Sequence, residues 1–161
     1  MMIRFAEPQD AAALVAIYAQ SVPTTVTFET QVPSVSEFES RIRSISSKYP
    51  YIVVTENGKP IGYAYAHAFY IEREAYARSV ECSIYLDAAV QRRGIGKKLY
   101  HELEKELLKR GFHSLYAVIT AENTVSRRFH ENCGFSIAGT LHEAGFKDGR
   151  WLDVVFYEKI L

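Results

Sequence analysis

Apolar positions in this chain switch repeatedly between a spacing near 3.6 and a spacing of 2. These are the periods of a one-sided helix and a half-buried strand. Ile3 to Phe5 read as a short strand, and Asp10 as an N-cap candidate for a helix running to about Gln20 with Leu14, Ile17 and Tyr18 on one face. Residues 24–33, TTVTFETQVP, read as a loop with some strand character. In VSEFESRIRSIS, residues 35–46, Phe38, Ile42 and Ile45 fall on one face of a second helix. Residues 51–70 form two β-rich runs around Asn57-Gly58, a hairpin signal because both residues tolerate positive φ. SVECSIYL, residues 79–86, alternates as a strand. A further helix follows, with Ile95, Leu99, Leu103 and Leu107 recurring every fourth residue and Gly111 ending it. SLYAVITA, residues 114–121, is a strand. NTVSRRFHENC, residues 123–133, is a short helix capped by Asn123 or Thr124 and ended by Gly134. Two last strands, residues 136–146 and 151–160, flank an Asp148-Gly149 turn. The order predicts a mixed α/β (α+β) fold with antiparallel hairpins at both ends and strand–helix–strand–helix in the middle.

Composition narrows this picture without redirecting it. The 161 residues suit one domain, 1–161, with a sizeable core, and no repeat or linker marks a boundary. With 19 basic and 19 acidic residues, net charge favours neither nucleic acid nor an anionic membrane as partner. Cys82 and Cys133 suit buried free thiols of a reducing cytoplasm. No stretch reads as a signal peptide or a membrane span. His67, His101, His113 and His142 show no metal-ligand spacing with Cys or Asp, so no metal is expected.

The first candidate chemistry is QRRGIGKKLY, residues 91–100. It joins cationic side chains and two glycines to a helix start, the combination that receives a phosphate on unpaired N–H groups. A P-loop would need Ser or Thr at 98, where Lys98 stands. A dinucleotide-binding turn would need a third glycine at 99, where Leu99 stands. The second is the preceding strand. Glu81, Ser83 and Tyr85 share one face, and Val80, Cys82, Ile84 and Leu86 the other. Burying Glu81 between apolar neighbours would raise its pKa toward the range useful to a general base. From Glu81 to Leu86 the extended chain spans about 16 Å, at roughly 3.3 Å per residue.

Gln91-x-x-Gly94-x-Gly96 between strand and helix resembles the pyrophosphate loop of the GNAT superfamily of acetyl-CoA-dependent N-acetyltransferases. The resemblance extends through TVTFET, AYARSVECSIYL, VITAENTVSRRFHENCGF and TLHEAGFKDGRWLDVVFY to the phosphinothricin acetyltransferase-like branch. It implies a mostly antiparallel central sheet flanked by helices, acetyl-CoA as co-substrate, a small-molecule amine as acceptor and a homodimer. The acceptors known for the branch are small amino acid analogues such as phosphinothricin and methionine sulfoximine.

Residue by residue, the resemblance implies that Arg92, Arg93, Gly94, Ile95, Gly96 and Lys97 hold the pyrophosphate and that Ile84, Tyr85 and Leu86 bind the pantetheine arm. Asn123 contacts coenzyme A besides capping its helix. Glu81 is the catalytic base. His130 occupies the slot where many superfamily members carry a tyrosine that protonates the departing thiolate. Phe28, Arg73, Tyr76 and Tyr85 match acceptor contacts, with Arg73 suited to a carboxylate. The chain departs from phosphinothricin-inactivating members at Ile71, where they can carry lysine, and at Arg78, where they can carry an aromatic residue. Other acceptors, such as a protein N-terminus or an aminoglycoside, and a non-catalytic acyl-CoA sensor stand as the alternatives.

Overall fold

A computed structural model describes residues 1–70 and 73–161; Ile71, one of the two departures from the branch, lies outside them. Eleven principal elements follow the predicted order: β1 (Met2–Phe5), α1 (Ala11–Ala19), α2 (Val35–Ser46), β2 (Tyr51–Glu56), β3 (Lys59–Ala68), β4 (Ser79–Leu86), α3 (Ile95–Lys109), β5 (Ser114–Thr120), α4 (Thr124–Asn132), β6 (Ser136–Lys147) and β7 (Arg150–Ile160). The strands form one seven-stranded sheet in the order β1-β2-β3-β4-β5-β7-β6. Every neighbouring pair is antiparallel except β4–β5.

Local chemistry sets the boundaries. Ser34 and Glu37 make a reciprocal capping box at the start of α2. Asn57-Gly58 and Asp148-Gly149 turn with positive φ at both residues, the geometry that tight hairpins need. Asn123 caps α4 by accepting from the Ser126 amide. Asp10 behaves differently from the expectation. Its carboxylate makes no cap bond to α1. It is held by Arg4 through two bonds of 2.8 and 2.7 Å and by the Glu7 amide at 2.8 Å. A buried carboxylate gains more from a guanidinium than from one helix amide, so the tertiary pair wins. Residues 24–33 contain no strand.

The sheet divides the core in two. Ala11, Leu14, Ile17 and Tyr18 of α1, with Phe38 and Ile42 of α2, pack on Tyr51, Val53 and Tyr63. On the other face Ile95, Leu99, Leu103 and Leu107 of α3 pack on Val80, Cys82 and Leu115, beside Cys133 and Phe135 from the end of α4. Each of these buried leucines contributes roughly 1.5–3 kcal/mol by leaving water. The odd positions of β4 therefore face α1 and α2, and the even positions face α3.

Candidate active site

The parallel pairing of β4 with β5 covers only Ser79↔Ser114, Val80↔Leu115 and Glu81↔Tyr116. β4 continues to Leu86 on its β3 side, and β5 continues to Thr120 on its β7 side. The two strands thus part after Glu81, and the edge of β4 from Cys82 to Leu86 has no strand partner toward β5 among the described residues. Ile84 and Leu86 point toward the α3 side, and Tyr85 toward α1. An unpaired edge in the middle of a sheet is a row of backbone groups available to an extended ligand.

Beyond the open edge, Arg92 takes φ +63° and Gly94 takes φ +75°, turning the chain into α3. Helix bonding begins with the Lys98 amide donating to Gly94, so the amides of Ile95, Gly96 and Lys97 have no acceptor among the described residues. Gly96 is closely packed: a Cβ there would stand 3.3 Å from the Phe129 ring and 3.4 Å from Leu86, a tight fit that those side chains would have to ease. At Gly94 a Cβ would meet nothing within 4 Å, so that glycine serves the left-handed turn. Arg92, Lys97 and Lys98 are exposed around the helix start. The guanidinium of Arg93 is engaged elsewhere, at 2.8 Å from Glu56. The loop fits an anion by its free amides, positive helix end and surrounding cations.

Glu81 stands at the last position of β4 that pairs with β5. Its side chain is 25% exposed, and His67, opposite it on β3, places Nε2 3.9 Å away. Burial pushes the Glu81 carboxyl above the usual carboxylate range, and His67 pulls it partly back. Glu81, Ser83 and Tyr85 line a cavity of about 220 Å³ with Tyr18, Tyr51, Tyr63, Tyr65, Thr27, Glu29, Arg41 and His67. Tyr51 stacks on Tyr65 at 4.8 Å and Tyr63 on Tyr85 at 5.3 Å. Burial raises the hydroxyls of Tyr63, Tyr65 and Tyr85, which therefore stay protonated donors at neutral pH. Arg41 pairs with Glu29 at 2.7 Å. Glu29 Oε2 and the Tyr63 hydroxyl are buried without a partner among the described residues.

The sequence reading overlooked this aromatic wall, although the signal was present. Tyr63, Tyr65 and His67 alternate on β3, opposite Tyr85, Ser83 and Glu81 on β4. Period 2 puts all six on one face once the register is known.

Other predicted site residues are dispersed. His130 is buried, edge-on to Phe129 and Phe135 at 5.2 and 5.1 Å, on the α3 side of the sheet. Its Nδ1–H donates to the Ser126 carbonyl at 2.8 Å. Burial lowers the imidazole pKa, with that hydrogen bond opposing. No hydrogen bond or ion pair joins it to Glu81 among the described residues. Phe28 lies against Gly145, where an added Cβ would fall 2.3 Å from its ring. Arg73 is exposed and makes no ion pair among the described residues. Tyr76 is 41% exposed and packs 5.1 Å from Tyr70. Phe28, Arg73 and Tyr76 do not line the cavity at Glu81. Arg78 donates to the Gly111 carbonyl at 3.3 Å, beyond the end of α3. Among the described residues no three His, Cys, Asp or Glu side chains gather to hold a metal.

A family model described as "Acetyltransferase (GNAT) domain" matches residues 3–156. The chain belongs to the GNAT acetyltransferase family. The phosphinothricin N-acetyltransferase of Streptomyces viridochromogenes is 37% identical over 98% of this chain and 86% of its own length. The crystal structure of a GNAT superfamily phosphinothricin acetyltransferase from Sinorhizobium meliloti, in complex with AcCoA, is 39% identical, covers 99% of this chain and 88% of that one, and superposes with a TM-score of 0.93. The structure described as ribosomal-protein-alanine N-acetyltransferase from Brucella melitensis is 34% identical, covers 100% of both chains and gives a TM-score of 0.95. This GNAT protein is an N-acetyltransferase, and acetyl-CoA is its co-substrate.

Proposed function

We propose that this enzyme acetylates the α-amino group of a small amino acid analogue of the phosphinothricin and methionine sulfoximine kind, with residues 1–161 acting as one catalytic domain. The observation that carries the reading is Glu81, a carboxyl of raised pKa that stands where β4 and β5 part and lines the tyrosine-walled cavity. Bound acetyl-CoA supplies an activated thioester carbonyl. The amides of Ile95, Gly96 and Lys97, with Gly94 shaping the turn, hold its pyrophosphate beside Arg92 and Lys97. Arg93 contributes its backbone, since Glu56 holds its side chain. Ile84, Tyr85 and Leu86 offer the open β4 edge to the pantetheine. Asn123 keeps its amide N–H₂ for coenzyme A while its oxygen caps α4.

Glu81 takes the proton from the substrate ammonium, directly or through water, and so frees the attacking amine. His130 presents a lone pair at Nε2, because Nδ1 carries the proton given to Ser126 and burial favours the neutral ring. That arrangement suits proton acceptance rather than donation to a thiolate. Tyr85 flanks the acceptor inside the cavity, whereas Arg73, Tyr76 and Phe28 lie outside its lining and are assigned to the acceptor by the branch resemblance alone, Arg73 as the group suited to a carboxylate. Cys82 takes no part, since burial raises its thiol pKa. The two buried free cysteines support a cytoplasmic location, and the branch resemblance supports a homodimer.

The Brucella relative favours a second reading, a protein N-terminus as acceptor. A cavity of about 220 Å³ suits one side chain better than a peptide. The deciding measurement is coenzyme A release with phosphinothricin, L-methionine sulfoximine, an aminoglycoside and an alanine-initiated peptide. Turnover of the amino acid analogues above the others is expected; preference for the peptide would replace this reading with the second.

A further inference from the structure

Residues 21–34, between α1 and α2, contain no regular helix or strand pairing, so their carbonyls need donors from elsewhere. Four of them find one atom. Lys147, at the end of β6 and only 5% exposed, shares the three N–H donors of Nζ among the carbonyls of Val22 (2.7 Å), Thr24 (2.6 Å), Thr27 (2.7 Å) and Glu29 (2.9 Å). No carboxylate pairs with this ammonium among the described residues; the carbonyls alone compensate its burial. Gly145, two residues earlier, gives room to the Phe28 ring. Thr120 Oγ1 adds a bond of 2.9 Å to the Thr25 carbonyl.

We propose that Lys147 is a positioning residue for the acceptor site. It draws the Val22–Glu29 loop onto the β6–β7 hairpin and thereby sets where Thr27 and Glu29 stand in the cavity wall. The inference rests on the reading of that cavity as the acceptor pocket. It also gives a role to two residues of the block TLHEAGFKDGRWLDVVFY: Gly145 and Lys147 form the seat for the loop. The same loop carries the Glu29 carboxylate that pairs with Arg41, and the Thr27 hydroxyl that lies 2.7 Å from Tyr18. Loss of the seat therefore reaches two side chains of the pocket, whereas among the described residues no hydrogen bond or ion pair joins residues 22–29 to the pyrophosphate loop, 91–97.

The test is Lys147→Met, with amide hydrogen exchange of residues 22–29 and steady-state kinetics in which L-methionine sulfoximine and acetyl-CoA are both varied. Faster exchange in the loop is expected, with kcat/KM for the acceptor falling ~10²-fold, the loss that follows a misplacement of about 1 Å. The KM for acetyl-CoA should not change. A residue that only adds stability would lower Tm and leave the acceptor parameters alone, and that result overturns the proposal. If Lys147→Met does not fold, Gly145→Ala displaces Phe28 and the loop from the same seat. It should raise the acceptor KM in the wild-type background and have no further effect in Phe28→Ala; an unchanged acceptor KM overturns the proposal. If the wild type turns over no amine, the acceptor reading falls by itself. Unchanged loop exchange in Lys147→Met then removes the seat as well.

Discussion

Glu81 combines a functional demand with a structural cost. Its carboxyl is held above the ordinary range by burial, so at neutral pH the folded protein carries a carboxylate that would be better solvated in the unfolded chain. A raised folded pKa means that the folded state binds this proton more tightly. The favourable contribution is complete below the ordinary glutamate range and is lost as pH rises through the folded pKa. Glu81→Gln should therefore raise Tm at neutral pH and raise it less near pH 4, as thermal melts across pH will show. The same variant should bind acetyl-CoA normally and lose ~10²–10⁴-fold in kcat/KM at neutral pH, with partial recovery in alkali as the substrate deprotonates itself. Wild-type turnover by Glu81→Gln at neutral pH would move the base elsewhere, with neutral His130 the next candidate.

At the scale of elements, the loop into α3 separates two roles of glycine. Gly94 has open space at its Cβ direction and a left-handed φ, whereas Gly96 is pressed against Phe129 and Leu86. Gly94→Asp is thus the cleaner probe of the anion cradle, since Gly96→Asp would disturb packing as well. Gly94→Asp should fold, at a cost of about 1–2 kcal/mol for the left-handed backbone. It should also abolish acetyl-CoA binding in a calorimetric titration, because a carboxylate enters the cradle. Wild-type affinity in that folded variant would refute the loop's assignment. α3 itself was legible from its four-residue apolar spacing, and its end from Gly111, which takes φ +76°.

For the whole molecule, β6 at the edge of the sheet carries exposed apolar side chains. Ile137, Leu141 and Phe146 are each at least half exposed, and Phe146 packs edge-on against exposed Trp151 of β7 at 5.1 Å. Apolar side chains grouped on one strand pair suit a contact with a second copy. Sedimentation should show a dimer for the wild type and a shift toward monomer in Trp151→Glu. A wild-type monomer at micromolar concentration would exclude the dimer expected from the branch.

Sequence alone determined what depends on near neighbours. Helix faces, hairpin turns and the capping of α4 by Asn123 follow from spacing and side-chain type within a few residues. The alternation that puts Glu81, Ser83 and Tyr85 together is equally local. Only the tertiary structure decided the features set by distant partners. Asp10 went to Arg4 instead of its helix because the fold brings a guanidinium to it. Tyr63 and Tyr65 became the wall beside Glu81 only once β3 and β4 were in register. The parting of β4 from β5 is a property of two strands that no single segment encodes. Lys147 reads as one more lysine near a turn, until folding carries it across more than a hundred residues to four carbonyls that have no other donor among the described residues. Charge burial and open sheet edges are set by what else arrives, and the period of a segment carries no record of that.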